Sequence, residues 1–384
     1  MTGIGMIGVG LMGSKHCQAI LSAATRFDEL RADPPRLVVC VDESPDQVER
    51  ARTLYGFERS ATYWQEVVEA DDVDLVMICS PNGTHARFAE AAGEAGKNVF
   101  CEKPVGRSPR ETRRIADSAA RNGVRSMVGY VYRWAPMTRY AQQLVTEGVI
   151  GEVTHYRGRF LVGYGKDPAT PLSWRFDGGA AGLGALGDLM SHVLDMSHFI
   201  AGKVSEVVAD MHTFIRERPI PLRSDSHVFG AQAADIQGPV TNDDYVTALI
   251  RLRNGGRGHL EACRVINGPV WSMAFDVHGT QGAISWNLER MNELVITHDS
   301  HPDSERTILS GPGHPGQAKF WPGAGVGIGY EDIVSIQAAA MIRHMATGEG
   351  RVPDFEDARY VANAQEAMMK SAVEGGWERV SDGL

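Results

Sequence analysis

The chain has 384 residues, 43% apolar and 22% charged, which is enough to build two separate cores in an ordinary globular protein. Its net charge of −10 and pI near 5.7, with no basic run, exclude a general affinity for nucleic acid or an acidic membrane. No stretch approaches the roughly 18 apolar residues of a membrane span, and no charged leader precedes the first apolar run, so a cytoplasmic location is expected. Cys17, Cys40, Cys79, Cys101 and Cys263 show neither metal-ligand spacing nor an even disulfide framework; they read as reduced, buried hydrophobes, and no metal site is expected.

The chain opens with a short apolar run that leads into Gly8-Val9-Gly10-Leu11-Met12-Gly13, and residues 14–24 behind it are helix-compatible. In that context the glycines read as a dinucleotide-binding turn. The first permits a tight strand-to-helix turn, the second leaves room for a pyrophosphate, and the third lets helix and strand pack closely. Backbone at Gly8, Gly10, Leu11 and Met12 is therefore expected against the cofactor, where the helix N-terminus offers unpaired N–H groups. A second apolar run, 36–41, ends at Asp42. A carboxylate there can accept from a ribose 2′-hydroxyl and repels a 2′-phosphate, and Glu43 adds to the repulsion, so NAD is expected over NADP. Asp42 follows the glycines by more than the usual ~20 residues, because an insert with Pro34-Pro35 lengthens the connection; the plainer reading is that Asp42 begins a turn.

Up to residue 132 apolar runs at 4–9, 37–41, 75–79, 98–101 and 126–129 alternate with amphipathic stretches at 45–54, 64–69, 85–95 and 109–121. This predicts parallel strands joined by helical crossovers, with the tips at Asp42, Ser80 and Glu102 opening on one crevice. Ser80-Pro81-Asn82 and His85 there read either as cofactor contacts or as a turn before a capped helix. In Glu102-Lys103-Pro104 the proline biases Lys103 toward an extended backbone. A lysine so placed can hold a substrate oxygen beside the cofactor, with Glu102 positioning it; a surface lysine is the alternative.

After Gly151 the texture changes to period-two stretches at 153–161, 204–215, 244–252, 257–266, 272–278, 283–286 and 293–297. Asn254-Gly255-Gly256 and the residues between Gly279 and Gly282 are hairpin signals. The fold class is thus α/β: a doubly wound parallel sheet in residues 1–132, then a second α+β domain, 133–384, with a large open-faced, mainly antiparallel sheet. Its uncovered face predicts a homodimer or homotetramer. Stretches 216–241 and 310–329 read as long irregular loops, the second as a pocket wall or an arm onto a neighbouring subunit. Residues 330–345 and 355–374 return to helical periodicity. Between the strands, Asp188, His192 and Asp195 fall at helical spacing on one polar stripe of an apolar segment. A histidine there can take a proton near neutral pH, with a carboxylate fixing its tautomer; a satisfied core histidine is the bland alternative.

Together, the 8–13 turn, Glu102-Lys103-Pro104, Tyr132-Arg133-Trp134-Ala135-Pro136, Trp174-Arg175-Phe176 and the Asp188…His192…Asp195 segment resemble the glucose–fructose oxidoreductase, inositol dehydrogenase and MocA (GFO/IDH/MocA) superfamily over nearly the whole chain. The resemblance implies a Rossmann domain, a carboxyl-terminal α/β domain and NAD-dependent oxidation of a ring hydroxyl on a sugar or cyclitol. It places Lys103, Asp188 and His192 at the catalytic positions, with His192 as base and Lys103 holding the oxygen. It also places Glu102, Lys103, Arg133, Trp174 and Arg175 near the cofactor, and Tyr132, Arg264 and Tyr330 near the substrate. Met190 departs from the glycine that many members carry between the aspartate and the histidine, which reshapes the expected pocket.

Residues 261–267, 291–294 and 329–332 resemble the branch of levoglucosan dehydrogenase-like and glucoside 3-dehydrogenase-like enzymes, implying oxidation at C3 of a glucose-type ring. Inositol 2-dehydrogenase is the competing substrate reading. An NAD-dependent glycosidase and a non-catalytic sugar sensor are the competing classes.

Overall fold

The computed structural model describes residues 2–222, 233–301 and 303–382. They form two compact units: residues 2–106, 110–136 and 311–359 in the first, and the described residues of 107–109, 137–310 and 360–382 in the second.

In the first unit the elements run β1 (Gly3–Ile7), α1 (Leu11–Arg26), α2 (Asp28–Ala32), β2 (Arg36–Val41), α3 (Pro45–Tyr55), β3 (Arg59–Ala61), α4 (Gln65–Val68), β4 (Leu75–Ile78), α5 (His85–Glu94), β5 (Asn98–Cys101), α6 (Pro109–Asn122) and β6 (Ser126–Val128). The sheet is parallel throughout, in the order β3-β2-β1-β4-β5-β6. Helices cover both faces of such a sheet, which is why β1 and β4 are buried along their whole length and read as unbroken apolar runs. The chain order reverses at β1, between β2 and β4, so a crevice opens beyond the carboxyl ends of these strands. β3 escaped the sequence reading because Arg59-Ser60-Ala61 is short, half-exposed and carries no apolar run.

The second unit continues with α7 (Pro136–Thr146), β7 (Val153–Val162), α8 (Gly178–Ala181), α9 (Ala185–Asp188), α10 (Met190–Ile200), β8 (Val204–His212), β9 (Glu217–Pro221), β10 (Ala233–Pro239), β11 (Tyr245–Leu252), β12 (Arg257–Cys263), β13 (Trp271–Gly279), β14 (Gly282–Asn287), β15 (Glu293–His298) and β16 (Arg306–Leu309). After these come α11 (Tyr330–Thr347), which belongs to the first unit, α12 (Phe355–Glu374) and β17 (Glu378–Arg379). The nine-stranded sheet has the order β16-β15-β14-β13-β7-β12-β11-β8-β17, with β7 and β12 parallel and the other pairs antiparallel. In β11, Val246, Ala248, Ile250 and Leu252 point into the core while Leu249 is exposed, the alternation expected of a sheet covered on one face. α10 supplies that cover, packing on β7 and β12. Gly158 permits the approach, since a Cβ there would lie 3.0 Å from a Val193 methyl.

Two expectations are corrected. The chain does not divide once near residue 132, because residues 311–359 return to the first unit. Helical periodicity says that α11 buries one face without saying against what, and the partner is α1. The 310–329 stretch goes with it: Lys319 pairs with Asp28 at 2.9 Å, Phe320 stands edge-on to Phe27 with ring centres 6.4 Å apart, and Lys15 pairs with Glu331. The 216–241 stretch is not wholly irregular either, since β9 and β10 pair antiparallel within it, while residues 223–232 lie outside the described residues. No helix among the described residues is long and apolar enough to cross a membrane.

Candidate active site

The glycine turn meets each demand placed on it. Gly8 has φ +90°, and a Cβ there would fall 2.7 Å from the Ser80 nitrogen. At Gly13 a Cβ would lie 2.0 Å from the Gly8 carbonyl oxygen, so only glycine lets α1 sit against the strand. At Gly10, by contrast, nothing lies within 4 Å of that position, which leaves the flank open to a pyrophosphate. α1 begins immediately afterwards with no side-chain cap and no acid in its first turn, so its amide N–H groups and positive dipole end suit an anion. Asp42 at the tip of β2 accepts from the Val9 N–H at 3.0 Å and the Ser44 N–H at 3.1 Å. It thereby ties the glycine turn to β2 and is more than the first residue of a turn.

The next two strand tips carry the remaining first-unit residues. Ser80 Oγ and Thr84 Oγ1 lie 2.6 Å apart, and Thr84 donates to the Pro81 carbonyl, which shapes the Ser80-Pro81-Asn82 corner. His85, assigned to the cofactor from sequence, is buried with Nδ1 3.0 Å from the Pro104 oxygen and Nε2 2.9 Å from the Ser80 oxygen. Its ring braces the two loops that flank the crevice. Burial pushes its pKa down, against the pull of the two carbonyls. Glu102 is buried too, and one carboxylate oxygen accepts the Lys103 backbone N–H at 3.0 Å. Lys103 is half-buried and joined to Pro104 by a cis peptide bond. Tyr132 and Tyr330, distant in sequence, stand with ring centres 6.4 Å apart. Burial, together with the Tyr132 and Glu102 charges, holds the Tyr330 hydroxyl well above the usual tyrosine range, so it remains a donor. Arg133 is buried and pairs with Asp357 at 3.6 Å.

In the second unit Asp188 and His192 do not share one uninterrupted helix, as their spacing predicted. α9 ends at Asp188 and α10 begins at Met190, with Leu189 as a turn, and the His192 N–H bonds to the Leu189 carbonyl at 3.1 Å. The start of α9 is fixed by Asp243, whose carboxylate accepts the N–H groups of Gly184 and Leu186, both at 2.7 Å. His192 is buried, its ring centre 5.8 Å from that of Phe160, while Asp188 is half-buried. Asp195 and Met190 are fully inside.

Sequence reasoning missed Tyr164, which donates to Asp188 Oδ2 at 3.1 Å. Nothing in the sequence pointed to it, because it lies in a loop 24 residues from its partner. Arg175 stacks on Trp174 with its guanidinium carbon 4.5 Å from the ring centre. Arg264, assigned to the substrate by resemblance, is fully buried. Its Nε donates to Asp244, Nη1 to the Arg175 carbonyl and Nη2 to Asn242, so the guanidinium holds the Arg175 backbone from beneath. Among the described residues, no group of three His, Cys, Asp or Glu side chains is arranged to hold a metal ion.

Comparison with known proteins identifies the family. Residues 2–130 match the oxidoreductase family with an NAD-binding Rossmann fold, and residues 138–285 match the GFO/IDH/MocA C-terminal domain. Levoglucosan dehydrogenase of Pseudarthrobacter phenanthrenivorans is 35% identical over 378 residues, 97% of each chain. Inositol 2-dehydrogenase of Rhizobium meliloti is 25% identical over 293 residues, 76% of this chain and 77% of that one. Among solved structures, levoglucosan dehydrogenase in complex with NADH and levoglucosan superposes with a TM-score of 0.91 at 34% identity, covering 99% of this chain and 100% of that one. An oxidoreductase domain protein from Kribbella flavida superposes with a TM-score of 0.91 at 37% identity, covering 99% of each. The chain therefore belongs to the GFO/IDH/MocA oxidoreductase family and is an NAD-dependent sugar dehydrogenase.

Proposed function

We propose that this enzyme oxidises a secondary ring hydroxyl of a glucose-type sugar, levoglucosan or a close analogue, at C3 to give the keto sugar. The observation that carries the reading is the 35% identity to levoglucosan dehydrogenase over 97% of both chains. In this proposal backbone at Gly8, Gly10, Leu11 and Met12 holds the pyrophosphate, Asp42 holds the adenosine ribose, and Ser80, Pro81, Asn82, Arg133, Trp174 and Arg175 line the rest of the cofactor's path. NAD, when bound, supplies the hydride acceptor.

His192 takes the proton from the substrate hydroxyl as the carbon–hydrogen bond beside it breaks. The Lys103 ammonium holds the same oxygen and stabilises its developing negative charge. Asp188 orients the His192 ring and stabilises the imidazolium that forms, and Tyr164 holds Asp188. Tyr132 and Tyr330 present hydroxyl groups to the sugar. Arg264 supports the Arg175 backbone.

The test is formation of NADH by the purified protein with levoglucosan, glucosides, free hexoses and inositols. The expected result is preferential turnover of levoglucosan or a glucoside, with NMR locating the new carbonyl at C3. Preferential turnover of inositols would instead favour the second reading, inositol 2-dehydrogenase, which rests on the match to the Rhizobium meliloti enzyme. A homodimer or homotetramer is the proposed assembly, checked by light scattering of the eluted protein.

A further inference from the structure

Among the buried ionisable residues of the first unit that the proposed chemistry does not use is His16. His16 lies on α1, on the first turn behind Gly13, and is 2% exposed. Its ring stands edge-on to Phe100, centres 4.8 Å apart, and its Nε2 lies 2.7 Å from Glu102 Oε1. The other oxygen of the same carboxylate accepts the Lys103 N–H at 3.0 Å. The Glu102 N–H is itself tied to the Ile78 carbonyl at 2.9 Å. Gly129 closes the remaining side, since a Cβ there would fall 2.7 Å from Glu102 Oε1. The carboxylate is thus a rigid bridge from a helix side chain to the backbone of the lysine.

We propose that His16 is a positioning residue for Lys103: through the Glu102 carboxylate it fixes the lysine backbone to the helix that starts at the dinucleotide turn. The inference rests on the reading of Lys103 as the group that holds the substrate oxygen. A carboxylate this deeply buried keeps its charge only with donors on its oxygens. Burial raises its pKa, but the His16 bond and charge, with Lys103, outweigh that and hold Glu102 below its ordinary value of 4.5. The other titratable groups that feel this carboxylate are the Cys79 and Cys101 thiols, kept neutral by burial, His85 and the Tyr330 hydroxyl. The side-chain contact to its Oε1 comes from His16 Nε2 at 2.7 Å. With that donor removed, the helix end of the bridge is lost, and the lysine backbone loses one of its anchors. A shift of about 1 Å in a reacting group is worth about 100-fold in rate.

The experiment compares His16→Leu, which removes the donor, with His16→Gln, whose amide can still donate to Glu102. Three measurements are made on each full-length protein: turnover of levoglucosan with NAD, NADH affinity by fluorescence, and the pH dependence of trinitrobenzenesulfonate labelling of Lys103, read on its peptide by mass spectrometry. His16→Leu should lower kcat about 10- to 100-fold. Its NADH affinity should stay within about threefold and its Lys103 labelling profile should shift, while His16→Gln restores both kcat and labelling toward wild type. Equal impairment of the two variants, or a wild-type labelling profile in His16→Leu, would overturn the proposal. If His16→Leu does not fold, Glu102→Gln carries the same comparison, because it breaks the bridge from the other end. If the wild-type protein fails to turn over levoglucosan, the substrate reading fails, and the labelling comparison still decides the role of His16.

Discussion

Tyr164 donates its phenolic O–H to the Asp188 carboxylate at 3.1 Å, joining a loop after β7 to the last residue of α9. Burial and the Asp188 charge push the hydroxyl above the ordinary tyrosine range, so it stays the donor at any working pH. A hydrogen bond to a charged group contributes about 1.5–3 kcal/mol. Tyr164→Phe is therefore expected to lower kcat/KM for the sugar about tenfold or more, with NADH affinity unchanged. Steady-state kinetics with a fluorescence titration checks this, and unaltered kcat/KM would remove Tyr164 from the site.

His192→Ala and Lys103→Ala should each lose about 10²- to 10⁴-fold in turnover, the range typical of a general base or a charge-holding group. Both variants should still bind NADH, since the glycine turn and Asp42 are untouched. Full turnover by either purified variant would remove that residue from its assigned role.

Asp42 should make the enzyme prefer NAD to NADP by about tenfold or more, through repulsion of a 2′-phosphate. Because the same carboxylate anchors the Val9 and Ser44 amides, Asp42→Ala should relax the preference and also lower the melting temperature. Cofactor kinetics and thermal unfolding measured on the same samples separate the two effects. A wild-type preference for NADP would contradict the assignment.

Glu102 links stability to pH in a fixed direction. Its folded pKa lies below the ordinary 4.5, so its charge contributes stability above that value, and the contribution is lost as pH falls through the depressed folded pKa. The melting temperature of the wild type minus that of Glu102→Gln should thus be largest near neutrality and shrink as pH falls below the ordinary carboxylate range. Circular dichroism melts across that range check it; a difference that grows on acidification would reverse the sign of the argument.

Much of the first unit was legible in advance because a doubly wound sheet writes itself into short apolar runs bounded by turn residues. The second, fourth and fifth apolar runs lie within a residue of the observed Arg36–Val41, Asn98–Cys101 and Ser126–Val128. The amphipathic stretch 45–54 matches α3 to within a residue, and the open flank of Gly10 was implied by its place in the motif. What periodicity could not convey is partnership. The i, i+4 spacing of Asp188 and His192 promised one helix, yet the backbone turns at Leu189 between them. Nor did periodicity show that the Arg264 guanidinium, placed near the substrate by resemblance, bonds Asp244, Asn242 and the Arg175 carbonyl.

By itself the sequence determined the alternation of strands and helices, the dinucleotide turn and the acid at the tip of β2, since each depends on residues close together in the chain. Tertiary structure alone decided that α11 returns to the first unit, that His16 reaches Glu102 and that Tyr164 reaches Asp188. Contacts of that kind depend on how buried faces and hydrogen-bond donors find each other across long stretches of chain. No local pattern encodes them, because any apolar stripe or polar side chain is compatible with many partners until packing selects one.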